Sequence, residues 1–126
     1  MGYNLIIGEK VIDDTDPEAH SYVWAKSVRL EEAPADGSPT DHTNERWPFY
    51  SGWGDLQRDC ERHGGGEVIA LIVQEHPGYI NLNPAINAKI QALKAGESYN
   101  KSRLEWLKFW SKWALDNCEH PVICNC

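Results

Sequence analysis

The sequence predicts an α+β fold, a single small domain in which a mostly antiparallel sheet packs against about three helices. Three observations carry this expectation. Between Lys101 and Cys118, an advance of about 100° per residue gathers Trp106, Phe109, Trp110 and Trp113 in one sector, with Leu107 and Ala114 extending it. Short runs of β-forming residues lie near the start of the chain, around 21–30 and around 79–82. Helix punctuation at Ser51, Gly64, Asn83-Pro84 and Gly96 frames two more helices, so the three expected are 52–63, 84–95 and 102–118.

Taken in order, Tyr3 to Ile7 reads as a first strand ended by Gly8. Asp13, Asp14, Asp16 and Glu18 then form an acidic connection, which lacks the alternating ligands, central glycine and distal glutamate of a calcium loop. A second strand is expected over Ser21–Leu30, with Tyr22, Trp24, Lys26, Val28 and Leu30 on one face. From 31 to 47 the composition turns to Pro, Asp, Gly, Ser, Thr and Asn, the mark of a long mobile loop.

Ser51 offers an N-cap and Gly64 a stop for the first helix, whose inward face is Trp53, Leu56 and Cys60. The triplet Gly64-Gly65-Gly66 follows a helix and precedes no Lys-Ser or Lys-Thr, so it reads as a breaker rather than a phosphate loop. Glu67 to Gln74 is apolar and rich in Val and Ile, which favours a strand, although periodicity alone does not separate strand from helix there. His76-Pro77-Gly78 has turn chemistry, and Tyr79–Leu82 returns as a short strand.

Asn83 followed by Pro84 is a cap and first-turn proline, and Ile86, Ile90 and Leu93 form the buried face of the helix that follows. The tryptophan-rich helix leaves only Lys101, Glu105, Lys108, Lys112 and Asp116 as a polar stripe, so it is expected to be enclosed on several sides. Residues 119–126 form a tail or an edge strand, with Val122–Cys124 as its β-forming part. At 126 residues, 1–126 is one domain.

Charge narrows the function. The chain carries a net charge of −7, and residues 1–50 hold ten acids against four bases. No basic cluster is visible in the sequence, which disfavours nucleic-acid binding, and no apolar run reaches the ~20 residues of a membrane span. The start of the sequence lacks a signal-peptide pattern, so a cytoplasmic setting with reduced thiols is expected.

No assembled catalytic signature is present. Cys60 and His63, three apart on a helix, share a face and could form a nucleophile and base, but no third member or oxyanion donor accompanies them. His76 is isolated in a turn. Cys118, His120, Cys124 and Cys126 supply zinc-binding chemistry, with Cys60 and His63 available to complete a tetrahedral set. Their one-residue separations depart from the two to four typical of structural zinc sites, so no cofactor is expected. For a ligand, Arg46, Tyr50, Trp53 and Arg58 form the candidate set, because rings stack on a base and guanidinium groups pair with phosphate.

Pro48–Trp53, Glu75–Gly78, Leu104–Trp110 and Trp113–Cys118 together resemble a family of small uncharacterised proteins of bacterial and bacteriophage genomes. The resemblance covers most of 48–118 and implies no activity, cofactor or site. The glycine triplet and the cysteine-containing tail depart from its pattern.

The expected function is therefore non-catalytic: a binding protein that recognises a protein partner or sequesters a small ligand, in the manner of an inhibitor or phage-type counter-defence protein. The alternatives are a nucleotide sponge, a small hydrolase or transferase using Cys60 and His63, and a structural zinc domain. A homodimer through unburied aromatics is a further expectation.

Overall fold

The computed structural model describes residues 5–13, 22–33, 35, 42–46, 50–73 and 78–125. The α+β architecture is as the sequence implies. In chain order the elements are β1 (Leu5–Asp13), β2 (Tyr22–Ala25), β3 (Glu45–Arg46), α1 (Tyr50–Arg62), α2 (Gly66–Val73), β4 (Gly78–Asn81), α3 (Pro84–Gln91), α4 (Ser98–Asn117) and β5 (Pro121–Asn125). The sheet runs β2-β1-β5-β4 with every pairing antiparallel, and β3 pairs with β1 beyond the end of β2.

The twofold alternation of a strand gives this sheet two apolar faces. Leu5 and Ile7 of β1 and Ile123 of β5 are fully buried in the main core, against Leu56 of α1, Ile69 of α2, Ile90 of α3 and the indoles of α4. On the opposite face Ile6 packs with Ala25, Val122 and Cys124.

Gly8 does not end β1, which continues to Asp13. A Cβ there would lie 3.0 Å from Asn44 Nδ2 and 3.3 Å from the Lys26 carbonyl, so glycine admits these groups to the strand. Asn44 is itself buried: its Oδ1 accepts from the Val28 N–H at 2.9 Å, and its Nδ2 donates to the carbonyls of Ile7 at 3.1 Å and Lys26 at 2.7 Å. Together with β3 and the Arg29–Thr43 bridge, this corrects the expectation of a mobile loop over 31–47 at residues 43–46, which are tied to Arg29 and β1, while 34, 36–41 and 47 lie outside the described residues. The second strand is also shorter than expected, ending at Ala25.

α1 begins at Tyr50, placing Ser51 inside the first turn rather than at the cap. Its end is as expected. Gly64 has φ 84°, its N–H donates to the Glu61 carbonyl at 3.1 Å, and the Gly65 N–H reaches the Cys60 carbonyl at 2.8 Å. This Schellman closure satisfies two terminal carbonyls and requires a left-handed residue.

The segment expected as a strand over 67–74 is instead α2. Ile69 and Ile72 are buried three residues apart while Glu67 and Leu71 face outward four apart, a helical division of one short apolar run. Asn83 caps α3 as expected, accepting from the Ile86 N–H at 2.8 Å, and Ile90 and Leu93 are buried. The helix nevertheless stops at Gln91 rather than before Gly96, because partners outside it hold the following residues. Lys108 Nζ donates to the Leu93 carbonyl at 2.6 Å, and Asp59 accepts from the Gly96 N–H at 2.9 Å.

In α4, Trp106 and Trp110 are almost completely enclosed, and the Trp106 indole N–H donates to the Thr43 carbonyl at 2.9 Å. Phe109 departs from the expected aromatic interior: it is 48% exposed, meeting Trp110 edge-on with ring centroids 5.2 Å apart. The tail expectation is corrected more strongly. β5 is no edge strand; it lies between β1 and β4 and is buried from Val122 to Asn125.

Candidate functional site

The proposed nucleophile and base come apart chemically. Cys60 is fully buried, and burial, followed by the Asp59 charge beside it, pushes its thiol up to about 11. That leaves almost no thiolate near neutrality. His63 turns to Asp59 instead, with Nδ1 3.0 Å from the Asp59 carbonyl oxygen and 3.8 Å from its carboxylate. His76 lies outside the described residues.

In the tail, His120 is exposed, Cys118 is half-buried and Cys124 is buried. The strand alternation places the Cys124 side chain with Val122 on the smaller apolar face, while Cys118 packs on the main core. Among the described residues no group of three or more His, Cys, Asp or Glu side chains could hold a metal ion. Cys126 lies outside them.

The candidate ligand set is partly brought together. Arg58 on α1 is 3.7 Å from Asp55, and Asp55 also receives a hydrogen bond from the Tyr99 hydroxyl of α4, the main reason its carboxyl sits below the usual range. Arg103 of α4 donates to Asn100 Oδ1 at 2.7 Å and stacks over the Tyr99 ring at 5.2 Å. Burial lowers Arg103, and the charge of Arg46 nearby lowers it further, which puts Arg46 of β3 in the same neighbourhood. The Tyr50 and Trp53 side chains lie outside the description. Arg103 and Tyr99 are thus the members that sequence reasoning did not assign to this set.

Two concave surfaces lie elsewhere among the described residues. Two open clefts of about 440 Å³ each share His63 and Leu93 in their walls. The first runs between the Gly64-Gly65 turn, α2 and α3, and is aliphatic: Val68, Leu71, Ile86 and Leu93 line it, with Glu67 and Lys89 at its rim. The glycine turn shapes this wall, because a Cβ on Gly65 would press within 2.6 Å of Leu93 Cδ2.

The second cleft lies between the residues after α3 and the polar stripe of α4. Lys94, Lys101 and Lys108 converge there against the single carboxylate of Glu105. The pinning of Lys108 Nζ to the Leu93 carbonyl, and of Gln91 Nε2 to the Lys108 carbonyl at 2.8 Å, fixes the lysine helix against the α3 end. Among the described residues no ion pair joins Lys89, Lys94, Lys101 or Lys108 to a carboxylate.

Positions 89, 94, 101 and 108 are too dispersed to form a basic run, so the sequence conceals this cluster. The available signal was Lys101 and Lys108 standing two helical turns apart on the polar stripe of α4. Ligand sites combine an apolar wall with a few convergent polar groups in clefts of roughly 300–1,000 Å³. The paired clefts meet that description.

Among the described residues no helix is long and apolar enough to cross a membrane. Comparison of the chain with protein-family models, curated proteins and solved structures finds no match.

Proposed function

We propose that the protein is a non-catalytic binding protein that sequesters a small ligand in the paired clefts meeting at His63 and Leu93. The observation that carries this reading is the convergence of Lys94, Lys101 and Lys108, none in an ion pair among the described residues, on a surface whose adjoining wall is largely aliphatic. Such a site holds a ligand by occupancy and needs no activated nucleophile. It suits an inhibitor or counter-defence protein, which acts by withholding a molecule or blocking a partner.

A thermal-shift screen of the full chain against anionic, cationic and uncharged small molecules tests the reading. A ligand at a hundredfold excess over its Kd adds about 2.7 kcal/mol, enough to raise Tm by several degrees. Ala92 lines the aliphatic cleft and is exposed, so Ala92→Trp fills the cleft from its rim. Saturable stabilisation that this variant loses is the expected result. Absence of any saturable shift, or a shift untouched by Ala92→Trp, overturns the reading.

A second reading places a nucleotide at Arg46, Tyr50, Trp53 and Arg58, favoured by the nearness of Arg103 to Arg46. Stabilisation by nucleotides or cyclic nucleotides that survives Ala92→Trp and disappears in Arg58→Glu would support it. Partner recognition or self-association would draw on the exposed Phe109 ring, and Phe109→Ser combined with a measurement of solution mass tests that role.

A further inference from the structure

We infer that the paired clefts take a small aliphatic anion, a carboxylate or phosphate monoester whose head meets Lys94, Lys101 and Lys108 and whose hydrocarbon body lies along Val68, Leu71 and Ile86. The inference rests on the ligand-sequestering reading and specifies its ligand. Its first support is the sign of the lysine cleft. Three ammonium groups face one carboxylate, and no ion pair among the described residues neutralises them, on a chain whose net charge is −7.

The second support is how Lys108 is held. One of its three donors goes to the Leu93 carbonyl at 2.6 Å, and Leu93 belongs to both clefts. The ammonium is thereby fixed at the junction, with two donors left for an anionic oxygen. A head bound there directs its tail to the far side of Leu93.

The third support is the chemistry of that far side. Its walls are mostly aliphatic, Leu71 remains 41% exposed, and among the described residues the His63 imidazole, shared with the lysine cleft, is the one ring in the lining. A base would find no Phe, Tyr or Trp face on which to stack, only the exposed imidazole at the junction, whereas an alkyl chain gains burial from every methylene. Glu67 and Lys89 oppose one another in sign at the rim and leave this end without a net preference for charge.

Titration calorimetry of the full chain at low ionic strength tests the inference with octyl phosphate, octanoate, inorganic phosphate and octyltrimethylammonium. Octyl phosphate or octanoate should saturate one site, and inorganic phosphate should bind at least about tenfold more weakly. The double variant Lys94→Glu/Lys101→Glu, both positions exposed, should weaken the alkyl anion by at least about tenfold while melting as a folded protein. Leu71→Asp should weaken octyl phosphate and leave inorganic phosphate unchanged.

Octyltrimethylammonium binding as tightly as octyl phosphate, or indifference to lysine reversal, overturns the anion assignment. The broader reading then stands or falls on the screen with Ala92→Trp. Silence from both alkyl anions also overturns the assignment, even if that screen finds another ligand for the same clefts.

Discussion

Asp59 of α1 caps α4 through Asn100. Its Oδ2 accepts from the buried Asn100 amide at 2.8 Å and from the Glu97 N–H at 3.1 Å, while Oδ1 accepts from the Gly96 N–H at 2.9 Å. Glu97 supplies no side-chain cap of its own, so the carboxylate of another helix satisfies the donors at the start of α4 and complements its dipole.

Acid should therefore loosen this junction. The Gly96 N–H, then Asn100 and Glu97, hold the Asp59 carboxyl at about 2, against an ordinary 3.8. Because the folded value is the lower one, the stabilisation is fully present above the ordinary value and is lost as pH falls from there toward about 2. Glu9 adds to the same trend, lowered by the N–H groups of Glu119 and His120. Thermal melts should show Tm falling across that window, and Asp59→Asn should flatten the dependence while lowering Tm at neutral pH by about 5 °C or more. An unchanged slope would mean that Asp59 is not the group titrating.

Asn44 should tolerate substitution poorly. Asn44→Ala leaves the Ile7 carbonyl and the Val28 N–H without their side-chain partner, and urea unfolding should register a loss of about 2–4 kcal/mol. Asn44→Asp should cost more at neutral pH, since a carboxylate would then face the two carbonyls that the amide now donates to.

The two large aromatics of α4 should differ sharply. Trp106→Ala should cost about 3–5 kcal/mol, and Trp106→Phe about 1–3 kcal/mol through loss of the bond to Thr43. Phe109→Ala, at a half-exposed position, should fall below about 1 kcal/mol in the same urea titration. Equal losses at the two positions would contradict the division of this helix into enclosed and open sides.

Thiol labelling should rank the cysteines by enclosure. With Cys60 pushed up to about 11, on the order of a thousandth of it is thiolate at pH 8, and the core shields it further. Peptide-mapped alkylation of the native chain should leave Cys60 and Cys124 unmodified while Cys118 reacts; rapid native labelling of Cys60 would restore it as a chemical centre.

Much of this architecture was legible where local chemistry decides it. The helical period of Trp106 and Trp110, the cap and proline at 83–84, and the left-handed stop at Gly64 each act within a few residues. α2 is not legible because the six apolar, partly β-branched residues Val68–Val73 suit either element, and packing against the other helices settles the choice. The centrality of β5 and the burial of Asn44 depend on partners sixteen or more residues away, which no local pattern reveals. The lysine cleft is hidden because its cations are spread over α4 and the connection before it, where the bond from Lys108 to the Leu93 carbonyl holds the two segments together.

The pairing of Leu5 with Asn125 imposes an order on the birth of the protein. During synthesis β1 emerges before the four described helices, yet the strand that covers one of its edges is added only after them. Until the ribosome has delivered that segment, Ile6 and Ile7 belong to an incomplete sheet open to misassociation. The nascent chain should therefore depend on shielding, by its own helices or by a chaperone, until β5 has been made.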